Sequence, residues 1–95
     1  MTVLLTVVAE VKDWQVLRAL NRDVLLTRAR ELGATHYRLY RDALDASRAL
    51  IIADLPDDEA LRDLASGLDE QLRSPNKGEI LVEGYWEPTD LEGIG

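Results

Sequence analysis

From Thr2 to Val11 the residues alternate. Val3, Leu5, Val7, Ala9 and Val11 are apolar, while Thr2, Leu4, Thr6, Val8 and Glu10 are mixed, and a period of two marks a strand with one dry face. The period then changes: Trp14, Val16, Leu17, Leu20, Val24, Leu25 and Leu32 fall within about half the circumference at ~100° per residue. This spacing predicts a helix capped by Asp13, with Gly33 in the C′ position. Thr35 to Arg41 carries β-favouring aromatics, and a turn region runs from Asp42 through Ser47. Arg48 to Leu55 is again strand-like, so the second and third strands are expected to form a hairpin. Pro56 stops the third strand, and Asp57, Asp58 and Glu59 put negative charge at the positive end of a second helix. Its apolar stripe is Leu61, Leu64, Ala65, Leu68 and Leu72. Ser74 to Gly78 reads as a turn, Glu79 to Glu87 as a fourth strand ended by Pro88, and Thr89 to Gly95 as an acidic tail.

Strand, helix, strand, strand, helix, strand is the split β-α-β order of an α+β, ferredoxin-like domain: a four-stranded antiparallel sheet with both helices on one face. Residues 1–88 are expected to form this one domain and residues 89–95 a tail, with no repeat or linker to supply another layer. Giving the more apolar parity of each strand to the helices places Val3, Leu5, Val7, Tyr37, Leu39, Ala49, Ile51, Ala53, Leu55, Ile80, Val82 and Trp86 in the core. The opposite parity holds Leu4, Thr6, Val8, His36, Arg38, Tyr40, Leu50, Ile52, Asp54, Leu81, Glu83 and Tyr85. That surface is too apolar for water and too polar for an ordinary core. Its aliphatic members alone would expose several hundred Å², the size of patch that marks an interface. Two copies stacked on this face would hide it, because one patch serves both partners. Stacking would also enclose a lumen with apolar walls and a few convergent polar groups, the usual form of a small-molecule site.

Composition narrows the partners. Ninety-five residues make one core. Eighteen acidic against 11 basic residues give a net charge of −7, so nucleic acid and polyanionic membrane surfaces are not expected partners. No apolar run approaches the ~20 residues of a membrane helix, and the first residues read as a strand rather than a secretory leader. Cys is absent, which removes disulfides, thiolate catalysis and Cys-ligated metal and fits a cytoplasmic protein. No Gly-rich phosphate loop, Ser/His/Asp pattern or nucleotide fingerprint occurs, so any reaction is expected to need no cofactor or to be assisted by its substrate.

Several local features together carry a family likeness. They are Val11-Lys12-Asp13-Trp14 at the strand-to-helix junction, Gly33 ahead of Tyr37-Arg38-Leu39-Tyr40-Arg41-Asp42, the short turn Ala43 to Ser47, the apolar third strand, and Ala65-Ser66-Gly67-Leu68. Over about residues 3–88 the chain resembles the dimeric α+β barrel superfamily, in particular small stand-alone proteins of the antibiotic biosynthesis monooxygenase type. The resemblance implies a homodimer with an eight-stranded barrel, helices outside and a ligand cavity in each half. Activities in that superfamily run from cofactor-independent oxygenation of aromatic polyketides and cyclisation to muconolactone isomerisation and haem degradation, so the fold does not choose the reaction. The chain also departs from the pattern: Asn21 and Val24 stand where relatives commonly carry aromatic or His residues, and Asp54-Leu55 where Glu-Trp is common. A haem role would want a His ligand with Asn or Trp beside it, whereas the single His, His36, lies on a strand.

The candidate chemistry gathers on the helix-free parity. His36, the one imidazole in the chain, could act as a general base oriented by Asp54 or Glu83; the competing reading is a hydrogen-bonded group in a polar wall. A lone His without a second close-spaced ligand does not make a metal site. Arg38 could hold a carboxylate or enolate oxygen in its fork of donors, or simply pair with Asp54 or Glu83. Thr6, Tyr40, Asp54, Glu83 and Tyr85 are the candidate ligand-binding residues, the tyrosines by stacking on a flat molecule or else by filling the barrel. Trp14 and Trp86 are expected in the core, and Asp57-Asp58-Glu59 at a solvated helix start. Two functions remain. One is a small-molecule enzyme, oxygenase- or cyclase-like, acting on an aromatic or polyketide-like compound; the other is a non-catalytic dimeric ligand-binding or structural protein.

Overall fold

The structure, a computed structural model, describes residues 2–72 and 78–94. Strand β1 (Val3–Val11) leads into helix α1 (Trp14–Leu20), a π-helical turn (Asn21–Leu25) and helix α2 (Leu26–Glu31). Strands β2 (His36–Arg41) and β3 (Arg48–Leu55), helix α3 (Asp58–Leu72) and strand β4 (Gly78–Trp86) follow. The sheet order is β2-β3-β1-β4, every neighbouring pair antiparallel, so the expected ferredoxin-like α+β fold is the one observed. The turn expected over residues 74–78 lies, apart from Gly78, outside the described residues.

Local chemistry sets the element ends. Asp13 Oδ1 accepts from the backbone N–H of Gln15 at 2.9 Å and of Val16 at 3.4 Å, satisfying donors that a helix start leaves unpaired. At the far end Gly33 N–H donates to Arg30 O and Ala34 N–H to Ala29 O, the paired bonds of a Schellman cap. That cap requires a left-handed residue, and Gly33 supplies it with φ of 84°. Asp57 opens α3 by accepting from Ala60 N–H at 2.8 Å. Trp14 ties the start of α1 to the β2–β3 connection: its indole N–H donates to Ala46 O at 2.7 Å, and the Arg41 guanidinium lies 4.6 Å from its ring centroid.

Apolar spacing predicts one uniform first helix, and the structure interrupts it. Leu26 N–H donates to Asn21 O, an i to i−5 bond that inserts one wide turn. The wide turn shifts the helical phase, which is why Val24, assigned to the apolar stripe, is exposed. It also turns Asn21 toward β2, where Asn21 Oδ1 accepts from the Tyr37 hydroxyl at 2.5 Å.

The core fills the space between the sheet and α3 with α1 and α2. Leu5, Val7, Ile51, Leu55, Leu17, Leu25, Leu64, Leu68 and Leu72 are completely buried, and no polar side chain among the described residues is buried with them. Each such aliphatic side chain stabilises by about 1.5–3 kcal/mol relative to exposure. Tyr37 lies at the margin of this layer, and burial raises its hydroxyl above the ordinary tyrosine range. In the unfolded chain Tyr37 ionises near pH ~10, whereas in the folded protein it resists. Its contribution is therefore complete below that pH and is lost as pH climbs above it. Urea midpoints of wild type should fall more steeply above pH ~10 than those of Tyr37→Phe, which should itself cost about 1 kcal/mol at neutral pH through the lost bond to Asn21. Parallel alkaline limbs in the two proteins would contradict this.

One strand departs from simple alternation. In the β1–β4 ladder Ala9 pairs with Ile80 and Val8 with Val82, so Leu81 is the extra residue of a β-bulge. Beyond it the parity of β4 inverts. Ile80 packs on the core as expected, but Val82 and Trp86, assigned there as well, lie on the helix-free face opposite Val8 and Leu4. Glu83 and Tyr85, assigned to the helix-free face, lie opposite Val7 and Leu5 on the helix side. Trp86 is accordingly not a core residue but 55% exposed.

Candidate functional site

The register arranges the helix-free face in rows that run across the sheet. One row is His36, Asp54, Leu4 and Trp86; the next is Arg38, Ile52, Thr6 and Gly84; the third is Tyr40, Leu50, Val8 and Val82. Polar groups thus occupy the β2 end, and the middle strands are aliphatic but for Asp54 and Thr6. In the first row His36 Nδ1 stands 3.6 Å from Asp54 Oδ2. At that separation the two are not hydrogen-bonded, but the carboxylate is near enough to attract the Nδ1 side of the imidazole and leave the other ring nitrogen facing outward. The His36 side chain is 72% exposed and that of Asp54 35% in the single chain, so water screens the pair until something covers the face.

Arg38 stands exposed on β2 between His36 and Tyr40, and among the described residues it forms no ion pair, including none with Asp54 or Glu83. Its donors are available to an anionic oxygen. Tyr40 is half exposed beside Leu50. At the β4 end the Trp86 indole N–H donates to Thr6 Oγ at 2.8 Å, across the position where Gly84 has no side chain. A Cβ on Gly84 would lie 2.6 Å from Thr6 Oγ and overlap the indole nitrogen. Glycine at this position is what lets the ring lie down on the sheet.

Two hollows open on this face. One of about 210 Å³ is lined by Thr2, Leu4, Asp54, Trp86, Glu87 and Pro88. The other, of about 310 Å³, is lined by Val8, Tyr40, Arg41, Asp42, Arg48, Ala49 and Leu50. A larger hollow of about 500 Å³ lies on the opposite side of the sheet between α3 and β4, where Arg62, Ser66, Asp69, Glu83 and Tyr85 meet. There the Tyr85 hydroxyl donates to Glu83 Oε2 at 3.0 Å, and that bond raises the tyrosine above its usual range. This larger hollow is an open groove with exposed polar walls, and it contains neither the His nor a catalytic constellation. Of the sequence-predicted site residues, the fold brings together Thr6, His36, Arg38, Tyr40 and Asp54, and it places Glu83 and Tyr85 apart from them. Sequence reasoning misses Trp86 because alternation alone gives no sign of an inserted residue. The one local signal is Gly84, which inside a strand marks a bulge or a close approach.

No group of three His, Cys, Asp or Glu side chains among the described residues is placed to hold a metal ion. No helix among them is long and apolar enough to cross a membrane.

No family model matches the chain, and no curated protein sequence matches it. Solved structures do match. A variant of SnoaB, a cofactor-independent oxygenase from Streptomyces nogalater, superposes with a TM-score of 0.73 at 16% identity over 95% of each chain. A candidate antibiotic biosynthesis monooxygenase from Deinococcus radiodurans matches with a TM-score of 0.62 at 13% identity, over 100% of this chain and 99% of the other. The chain shares the ferredoxin-like α+β fold of these structures. A dimeric ferredoxin-like protein from an uncultured marine organism shares it as well, with a TM-score of 0.62 at 11% identity over the whole of both chains. At these identities the likeness is one of fold, and a fold shared by many chemistries leaves the reaction to the site.

Proposed function

We propose that two copies of this chain stack their helix-free faces and enclose a chamber that binds a small aromatic or polyketide-like compound, on which the protein acts as a cofactor-independent oxygenase or cyclase. The carrying observation is the His36–Asp54 pair at 3.6 Å, set at the polar edge of an aliphatic sheet face that no helix covers. His36 accepts the proton of a phenol or enol through the ring nitrogen turned away from Asp54. Arg38, in the next row along β2, stabilises the resulting oxyanion. The phenolate or enolate then carries the electron density that either ring closure or reaction with dioxygen requires. Cover by a second sheet would exclude water and strengthen each of these interactions. The neighbours of like fold, one of them described as a cofactor-independent oxygenase and another as dimeric, support this reading.

Titration with 1-naphthol, a flat phenol, tests it. At neutral pH the wild type should bind the probe and shift its absorbance toward that of the phenolate. His36→Ala should bind without the shift, and Arg38→Ala should bind roughly tenfold more weakly. If the wild type binds nothing while both variants only lose stability, the polar residues merely satisfy one another and the non-catalytic reading holds.

A further inference from the structure

Trp86 carries three features that a packing residue does not need. Its ring is 55% exposed, it is fixed by a hydrogen bond to a residue 80 positions away, and it lies on a glycine whose missing side chain makes its place. A tryptophan left in water is free to rotate away, and a buried one needs no cut-out beneath it. Here the indole is held over Gly84 by its bond to Thr6 while more than half of the residue stays accessible. It borders the 210 Å³ hollow whose opposite wall is Asp54 and whose floor is Leu4. Strands in a sheet are ~4.8 Å apart, so Asp54 on β3 and Trp86 on β4, with β1 between them, stand roughly 10 Å apart. That span leaves room for one ring system to reach the indole while its polar edge faces the His36–Asp54 pair.

We infer that Trp86, positioned by Thr6 and Gly84, is the specificity-determining platform of the chamber and selects planar, π-faced ligands over saturated ones of equal size. The inference rests on the proposed small-molecule function and goes beyond it by assigning ring selection to a residue on β4. Thr6 is the positioning residue. Its oxygen accepts from the indole and leaves its own O–H free to donate to the ligand. Leu4 supplies apolar contact to flat and saturated rings alike, so discrimination between them falls to the indole. A hollow of this size is below the roughly 300–1,000 Å³ that encloses a drug-sized molecule, so it receives one end of such a ligand.

Calorimetric titration of the full-length protein with 1-naphthol and with its saturated counterpart, decahydro-1-naphthol, tests the assignment. Wild type should prefer the aromatic probe, and Trp86→Leu should lose about tenfold in affinity for it while keeping its affinity for the saturated one. Trp86→Phe should fall between. Thr6→Val should weaken the aromatic probe by a few-fold, and Thr6→Ser should restore it, a rescue that a purely structural role for the methyl group would not give. Binding of 1-naphthol by Trp86→Leu as tightly as by wild type overturns the assignment to Trp86 and leaves the chamber standing, and so does equal loss of both probes. Failure of wild type to bind either probe overturns the chamber and this inference together. Emission from Trp86 in a Trp14→Phe background supplies a second measure. Quenching by 1-naphthol but not by its saturated counterpart supports the platform, and equal response to both contradicts it.

Discussion

With two copies stacked as proposed, replacing Ile52 with Glu is expected to reduce the particle in solution from two chains to one. Ile52 sits in the middle of the helix-free face, flanked by Arg38 on β2 and Thr6 on β1, so face-to-face stacking would trap its substitute between two sheets. Each dimer would then bury two carboxylates, at several kcal/mol apiece in lost hydration. Association should weaken by about a thousandfold or more, because each 1.4 kcal/mol is a factor of ten. The fold itself should survive, since Ile52 points away from the helices and only its neighbours Ile51 and Ala53 are in the core. Sedimentation at micromolar concentration, with circular dichroism beside it, decides the matter. A variant that keeps the wild-type mass, or a wild type that already runs as one folded chain, would remove the chamber.

Gly84→Ala should have the second largest effect. The added methyl is fixed to the backbone and would overlap the Trp86 indole while standing 2.6 Å from Thr6 Oγ, so the ring must leave and the Thr6 bond must break. Overpacking of this kind costs about 1–3 kcal/mol. Emission from Trp86 should change as the ring moves into water, and the preference for a flat probe should vanish with it. A Gly84→Ala protein whose emission, unfolding midpoint and 1-naphthol affinity all match wild type would show that the ring is not seated on the glycine.

Most of the fold was legible because burial enforces periodicity. In β1 and β3 the dry positions alternate without interruption, and both strands lie in the middle of the sheet, where a slipped register would expose a whole apolar set. The caps of the first helix were legible for a similar reason: Asp13 and Gly33 each meet a local hydrogen-bonding or dihedral demand that few other residues meet. Two features escaped, and both add a residue to a repeat. The π-helical turn at Asn21–Leu25 and the bulge at Leu81 leave the apolar count of their segments unchanged while moving the phase of what surrounds them. Pattern reading carries one phase per element, so it puts Val24, Val82, Glu83, Tyr85 and Trp86 on the wrong side. Residues on the uninterrupted strands, His36, Arg38, Tyr40, Asp54 and Thr6, fall on the face that alternation assigns to them.

The bulge gives β4 two possible identities. Without it Leu81, Glu83 and Tyr85 would lie on the helix-free face, and with it Val82, Gly84 and Trp86 do. A neutral, partly aromatic wall and an acidic, phenolic one are thus written on opposite sides of a single ribbon, one residue of sliding apart. Because β4 is a border strand held only by β1, such a slide would disturb no other pairing. The Trp86 indole bonded to Thr6 ties β4 to β1, so a slide that exchanged the two faces would have to break that bond.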